Sequence, residues 1–257
     1  MKKERIDVLL VQQGLFETRE QAKRAVMAGE ILGENEERLD KPGMKVDPET
    51  KLHFKGTKMP YVSRGGLKLE KALKVFHLSI KDVALQKGAK MSYALDVGTN
   101  QLAWKLRQDD RVVVMENTNF RYSRKDDFTS GQPDFATIDV SFISLHLILP
   151  NLHSIIKEGG SVVALIKPQF EAGREKVGKH GIVHDPKTHL EVVQDIMAFS
   201  ASVGYDVCEL DFSPITGGQG NIEFLIHLKS VDGEGKIMPE VDAAAVVKQA
   251  HAVLEHK

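Results

Sequence analysis

The stretch FHLSIKDVALQKGAKMSYALDVGTN, residues 76–100, decides how the larger part of the chain is read. Its second half, 91–97, has the composition of a buried parallel strand and leaves an acidic residue, Asp96, near the strand's carboxyl end. In open α/β sheets that position faces the ribose of a nucleotide-like ligand. Such a strand is the second of its sheet, so a first strand, a glycine-rich turn and a helix should precede it. Here a helix ending near Phe76 runs almost directly into DVALQKGAK, whose Gly88 reads as a helix stop. The spacing therefore predicts that roughly fifteen residues, enough for one strand and a tight turn, are absent between Asp82 and Val83. Either the segment has been left out of the sequence or it has been deleted from the protein.

Downstream of this point strands and helices alternate. Strands are expected at 91–97, 111–117, 134–140 and 161–168, with helices at 100–109, 145–157 and 186–204. Two closing strands follow, YDVCELDF (205–212) and NIEFLIHLK (221–229). The pattern is a parallel α/β sheet finished by an antiparallel pair. Trp104, with Leu102 and Leu106, and the single cysteine, Cys208, are expected in the core. Residues 231–257 read as a linker and an Ala/Val-rich helix with no assigned function.

The first 58 residues differ in character. RIDVLLVQQGLF and TREQAKRAVMAG carry apolar residues at helical spacing, each closed by a glycine, Gly14 and Gly29, and Thr18 with Gln21 has the form of a capping box. Short β-prone pieces separated by Gly, Pro, Asn and Asp follow. The chain thus divides into a small α+β module over 1–58, a linker over 59–66, an α/β domain over 67–230 and a tail over 231–257.

Composition narrows the function classes. At 257 residues and 42% hydrophobic content the chain can bury a medium and a small core. A net charge of −1 gives no global polybasic signature, so a nucleic-acid contact must come from local Lys and Arg. The run Arg64, Lys68, Lys71, Lys74 and Lys81, opposed by Glu70 alone, is the one plainly basic stretch. Asp7, Gln12 and Gln13 interrupt the N-terminal apolar run, and no apolar stretch approaches the ~20 residues of a membrane span. The expectation is a cytoplasmic protein with no membrane partner. One thiol excludes an internal disulfide framework, and His180 and His184 sit in a glycine-containing loop read as solvated, so no metal is expected.

Three polar residues violate the apolar pattern around them. Lys167 ends VVALIKPQF, Asp139 ends FATIDV, and Glu223 interrupts NIEFLIHL, where Ile222, Phe224, Ile226 and Leu228 form one face. An unpaired ammonium at a strand end is costly, so these groups should meet partners. Lys68 arrives at the same sheet edge from the preceding helix.

Two resemblances bear on these observations. Residues 5–46 resemble the alpha-L RNA-binding motif of a small-subunit ribosomal protein, which implies RNA contacts through Arg5, Arg19, Lys23 and Arg24, with Arg64 beside them. VSRGGLKL, TIDVSFISL, ALIKPQFEAG and GGQGNIEF resemble the motifs of FtsJ-like ribose methyltransferases, in the TlyA or hemolysin-like branch joined to an alpha-L module. That resemblance implies a Rossmann-like S-adenosylmethionine-dependent methyltransferase sheet with a small N-terminal RNA-binding domain. Its activity would be 2′-O-methylation of ribosomal RNA. It also implies a catalytic tetrad at Lys68, Asp139, Lys167 and Glu223, and S-adenosylmethionine bound by Asp96, Asn119 and Asp139. A lysine suits the task, because its ammonium stabilises a developing alkoxide and its neutral amine can accept the proton. The loop 170–185 then reads as a lid or RNA-facing segment. The competing expectations are a non-catalytic RNA-binding or ribosome-assembly factor with a lost cofactor site and, least favoured, a hemolysin.

Overall fold

The computed structural model describes residues 3–16, 18–56, 61, 64–78, 89–217 and 220–254. The Asp82–Val83 junction lies outside them. The chain forms two compact units, 1–60 and 61–257.

The first unit is built on two short helices, α1 (Ile6–Gln12) and α2 (Arg19–Met27). Thr18 caps α2 by accepting the Gln21 amide at 3.3 Å, and Gly14 and Gly29 take φ of +71° and +72°, which other residues adopt only with strain. Ile6, Leu9 and Leu10 of α1 pack on Ala22, Ala25 and Val26 of α2. Two miniature antiparallel ladders complete the unit. In one, β1 (Glu4–Arg5) pairs with β3 (Lys45–Val46); in the other, β2 (Ile31–Leu32) pairs with β4 (His53–Phe54).

Asp7 is wholly buried in this small core, gripped by Arg5 (Nε–Oδ1 2.9 Å, Nη2–Oδ2 3.0 Å) and by Arg19 (Nη2–Oδ2 3.0 Å). The hydrogen bonds from Arg5 above all, opposed by burial and reinforced by Arg19, hold its carboxyl at about 2. A carboxylate held below its unfolded value contributes stability that is fully present above the unfolded value and lost as pH falls from 3.8 toward about 2. Asp7→Asn is therefore expected to remove roughly 1–2 kcal/mol from this unit at pH 7 and to flatten the acid limb of its stability. Urea unfolding of the unit at pH 7 and pH 3 checks this; an unchanged pH dependence would refute it.

In the second unit the main sheet has the order β7-β8-β10-β9. Strands β7 (Phe135–Ile138) and β8 (Ser161–Ile166) are parallel, and β10 (Phe224–Ser230) runs antiparallel to both β8 and β9 (Tyr205–Phe212). One face buries Val162, Ala164, Ile166, Phe224, Ile226 and Leu228 against α5 (Leu149–Ile155) and α7 (Pro186–Ser202). Asp185 caps α7 ahead of Pro186, accepting the amides of Lys187 and Thr188. The other face, with Val163, Leu165 and Leu225, is covered by Ala72 of α3 (Gly65–Val75) and by Phe76. The tail is part of this core rather than an appendage: α8 (Ala243–Leu254) packs Val247, Ala250 and Leu254 into it, and His251 Nε2 lies 2.8 Å from His189 Nδ1.

Among the described residues the expected single sheet is divided. Strands β5 (Ser92–Leu95) and β6 (Val112–Met115) form a separate parallel ribbon bridged by α4 (Trp104–Arg107). Trp104 is not in the core: it is 69% exposed, because no described element covers that side of the ribbon. Cys208 is only half-buried, since β9 is the last strand of its sheet, and burial pushes its thiol pKa up. Among the described residues no helix is long and apolar enough to cross a membrane.

Candidate active site

The register of the main sheet brings three strand ends to one edge. β7 and β8 point their carboxyl ends there, and the pairing of Phe224 with Ile166 turns the start of β10 to the same place. Asp139 follows β7, Lys167 follows β8 and Glu223 precedes β10, so one edge receives all three. Lys68 reaches them from the first turns of α3.

The four side chains form a continuous chain of charges. Lys68 Nζ lies 2.6 Å from Glu223 Oε2 and 3.8 Å from Asp139 Oδ2, and Lys167 Nζ lies 2.6 Å from Asp139 Oδ1. Burial is unequal along it: Glu223 is 2% exposed and Lys167 7%, whereas the Asp139 side chain is 45% exposed. The formal charges cancel, which is how a buried cluster of four ions is tolerated.

Two contacts at this edge were not singled out from the sequence. Ser141 Oγ accepts a hydrogen bond from Lys167 Nζ at 3.1 Å; it was hidden inside the quoted TIDVSFISL motif as an ordinary small polar residue. Gly217 backs Glu223 so closely that a Cβ there would stand 2.0 Å from Oε1, and no pattern in the sequence betrays a contact of that kind. Beside the tetrad, Phe142 is 90% exposed, with its ring 4.9 Å from Phe170. The segment from Ser144 is tied to α6 (Pro168–Glu171), because Glu171 accepts the Ser144 hydroxyl at 2.5 Å and the Leu145 amide at 2.9 Å. Burial raises the Glu171 carboxyl, against those hydrogen bonds.

The expected basic stretch is not a free cationic face. Lys68 is consumed by the tetrad, Lys71 bonds Asp211 at 3.0 Å and the Phe212 carbonyl at 2.6 Å, and Lys74 pairs with Glu70 at 3.1 Å. Arg64 donates to the Thr216 carbonyl at 3.2 Å, while Lys81 lies outside the described residues. In the first unit Arg5 and Arg19 are anchored on Asp7 and Lys23 on Glu20 at 2.6 Å, whereas Arg24 is exposed. Among the described residues no cluster of three His, Cys, Asp or Glu could hold a metal, and His180 and His184 are exposed.

Of the residues expected to hold the methyl donor, Asp96 and Asn119 are neighbours, because the Thr118 amide donates to the Asp96 carbonyl at 3.0 Å. Asp96 is exposed past the end of β5, and its Oδ1 accepts the Gly98 amide at 2.7 Å. Asn119 Oδ1 accepts both the Arg121 amide and Arg121 Nε at 3.2 Å. Asp139 follows β7 of the other sheet, and among the described residues no ladder joins β5 to β7. Among the described residues no strand, glycine turn and helix come together as a cradle, so the described residues alone do not fit the donor.

The chain is similar to known proteins along most of its length. Residues 61–230 match the FtsJ-like methyltransferase family, and residues 4–52 match the S4 domain. The Bacillus subtilis protein YqxC, named as a candidate rRNA methyltransferase, is 59% identical over 273 aligned positions, covering 100% of this chain and 97% of its own. The 16S/23S rRNA (cytidine-2′-O)-methyltransferase TlyA of Mycobacterium tuberculosis is 34% identical over 250 residues, covering 89% of this chain and 91% of its own. A solved structure of a candidate hemolysin from Streptococcus thermophilus is 57% identical, covers 100% of this chain and 98% of its own, and superposes with a TM-score of 0.78. The sheet, the strand-edge charges and these matches lead to one conclusion: the chain belongs to the FtsJ-like methyltransferase family and carries an S4 domain in its N-terminal unit.

Proposed function

We propose that the protein methylates a ribose 2′-hydroxyl of ribosomal RNA, in the cytoplasm, with S-adenosylmethionine as the methyl source. The observation that carries this reading is the Glu223–Lys68–Asp139–Lys167 chain of charges at the strand ends. The names of YqxC and TlyA support the substrate class.

The tetrad's own chemistry follows from its geometry. A ribose hydroxyl is a poor nucleophile because it holds its proton far above neutral pH, so the site must stabilise the oxygen as negative charge develops on it. An ammonium has three N–H groups. Two of those on Lys167 are directed to Asp139 Oδ1 and Ser141 Oγ, which leaves the third for the substrate oxygen. Asp139, half in water, can take up the proton that the hydroxyl sheds. Glu223 and Lys68 hold Asp139 from behind and keep the cluster neutral. Phe142 gives a base beside the reacting ribose a surface to stack on.

The substrate class is tested by counting labelled methyl transferred from millimolar S-adenosylmethionine to isolated ribosomal subunits. Transfer to protein alone would refute it, as would transfer to neither when calorimetry shows the donor bound at that concentration. The S4 domain supplies RNA affinity in this reading, through Arg24 and through the outward faces of Arg5, Arg19 and Lys23. Removing residues 1–58 is expected to weaken binding to ribosomal RNA at least tenfold and to flatten its salt dependence, because phosphate contacts release counterions. Filter binding at two ionic strengths reads both; an unchanged affinity and slope would take RNA binding away from this unit.

A further inference from the structure

We propose that this chain lacks the central strand of its sheet together with the glycine turn after it, that the segment belongs between Asp82 and Val83, and that the resulting slot between β5 and β7 removes the methyl donor's cradle while leaving the tetrad assembled. The donor's identity rests on the reading above; the slot does not.

The slot is visible in the hydrogen bonding. In β5 the amides of Ser92 and Asp96 donate to Arg111 and Met115 on the β6 side, at 2.8 and 3.1 Å. Bonding groups alternate along a strand, so the amides of Tyr93 and Leu95 face the opposite edge, where β5 has no partner among the described residues. In β7 the Asp134 carbonyl accepts from Ser161 at 3.0 Å, which turns Phe135 and Thr137 away from β8 toward a second edge that has no partner among the described residues. Both edges belong to strands of parallel ladders. A single strand parallel to both would join the ribbon and the main sheet into one seven-stranded sheet, β6-β5-x-β7-β8-β10-β9. The ribbon also exposes apolar surface that a completed sheet would cover: Val97 is 70% exposed and Trp104 69%.

The chain's own length cannot fill this position. Ten residues, 79–88, separate Leu78 from Ala89. A strand matching β5 needs about four residues, and its parallel return to β5 needs a crossover of about a dozen or more. The alignment with YqxC spans 273 positions against a chain of 257 residues, so the relative has about sixteen residues that this chain does not. Added to the ten, they suffice for a strand, a tight turn and a short crossover helix. Open α/β sheets bind nucleotide-like ligands outside the carboxyl ends of their strands, at the turn after the first strand. Here that turn would lie between Asp96 and Asp139, two carboxylates that follow strands joined by no ladder among the described residues.

The test compares the 257-residue chain with a completed chain in which the additional segment of YqxC is inserted between Asp82 and Val83. Calorimetric titration with S-adenosylmethionine should show at least a hundredfold tighter binding by the completed chain. Equal affinity within threefold would overturn the proposal, whether both bind tightly or neither does. Hydrogen exchange on the 257-residue chain gives a second reading that does not depend on the insert folding. The amides of Tyr93, Leu95, Phe135 and Thr137 should exchange at least a hundredfold faster than those of Ala94 and Ala136; slow exchange at all four would mean that a strand already occupies the slot. A completed chain that binds the donor but methylates no RNA would count against the ribosomal RNA reading alone.

Discussion

Lys167→Ala is expected to lower methyl transfer to ribosomal RNA by a factor of at least about 10²–10³ while leaving RNA affinity within about threefold. The reason is geometric. Lys167 spends two of its three N–H groups on Asp139 and Ser141 at the exposed end of the cluster, so its loss removes the group proposed to meet the oxygen as charge develops. RNA affinity, which the proposed function places in the S4 domain, should not notice. Nor should the fold suffer greatly, because the carboxylate that Lys167 leaves behind, Asp139, is 45% exposed and can be solvated. Rates are best taken in the strand-completed chain, where donor binding is not limiting, and again in the 257-residue chain at millimolar donor. Activity within a few-fold of the parent would remove Lys167 from the mechanism.

Lys68→Ala should behave differently, because burial decides what a broken ion pair costs. Its partner Glu223 is 2% exposed, so removing the ammonium leaves a carboxylate that water cannot reach. Breaking a buried pair from one side typically costs about 3–5 kcal/mol. Lys68→Ala should therefore lose both activity and stability. Replacing both partners, Lys68→Met with Glu223→Leu, should recover most of the stability and none of the activity, because two apolar side chains leave no charge to solvate and no tetrad to act. Denaturant unfolding and methyl transfer on the same three proteins separate the two effects. A Lys68→Ala protein as stable as the parent would show that the pair is not buried in solution.

What the sequence disclosed depended on whether a residue's role was local. The alternation of Ile222, Phe224, Ile226 and Leu228 assigned a strand face that the structure buries, and it made Glu223 conspicuous as the residue that did not belong. Lys167 and Asp139 stood out for the same reason. Lys71 looked like part of a cationic face because its partner Asp211 lies 140 positions away and nothing nearby announces it. Asp7 looked like an interruption of an apolar run, whereas it is the anchor for two arginines, one of them twelve residues on. Trp104 had the helical spacing of a core residue, but spacing supplies only the inward direction, and the surface it should meet is not among the described elements. The tail's helix was legible, yet its place in the core, through Val247, Ala250 and Leu254, depends on contacts with α7 and β9 that periodicity cannot specify. The opening stretch reads the other way: its spacing predicts a missing neighbour, and β5 and β7 each have one edge without a partner among the described residues.

The most direct test of the tetrad's role is the identity of the methylated atom. Ribosomal RNA treated with the strand-completed chain, or with the Lys167→Ala version of it, is digested to nucleosides and separated with mass detection. Completed protein should yield a 2′-O-methylnucleoside, with the added mass on the ribose, and the Lys167→Ala protein should yield none. Methyl found on a base, or the same ribose methylation from both proteins, would contradict the assignment of this strand-edge cluster to ribose methylation.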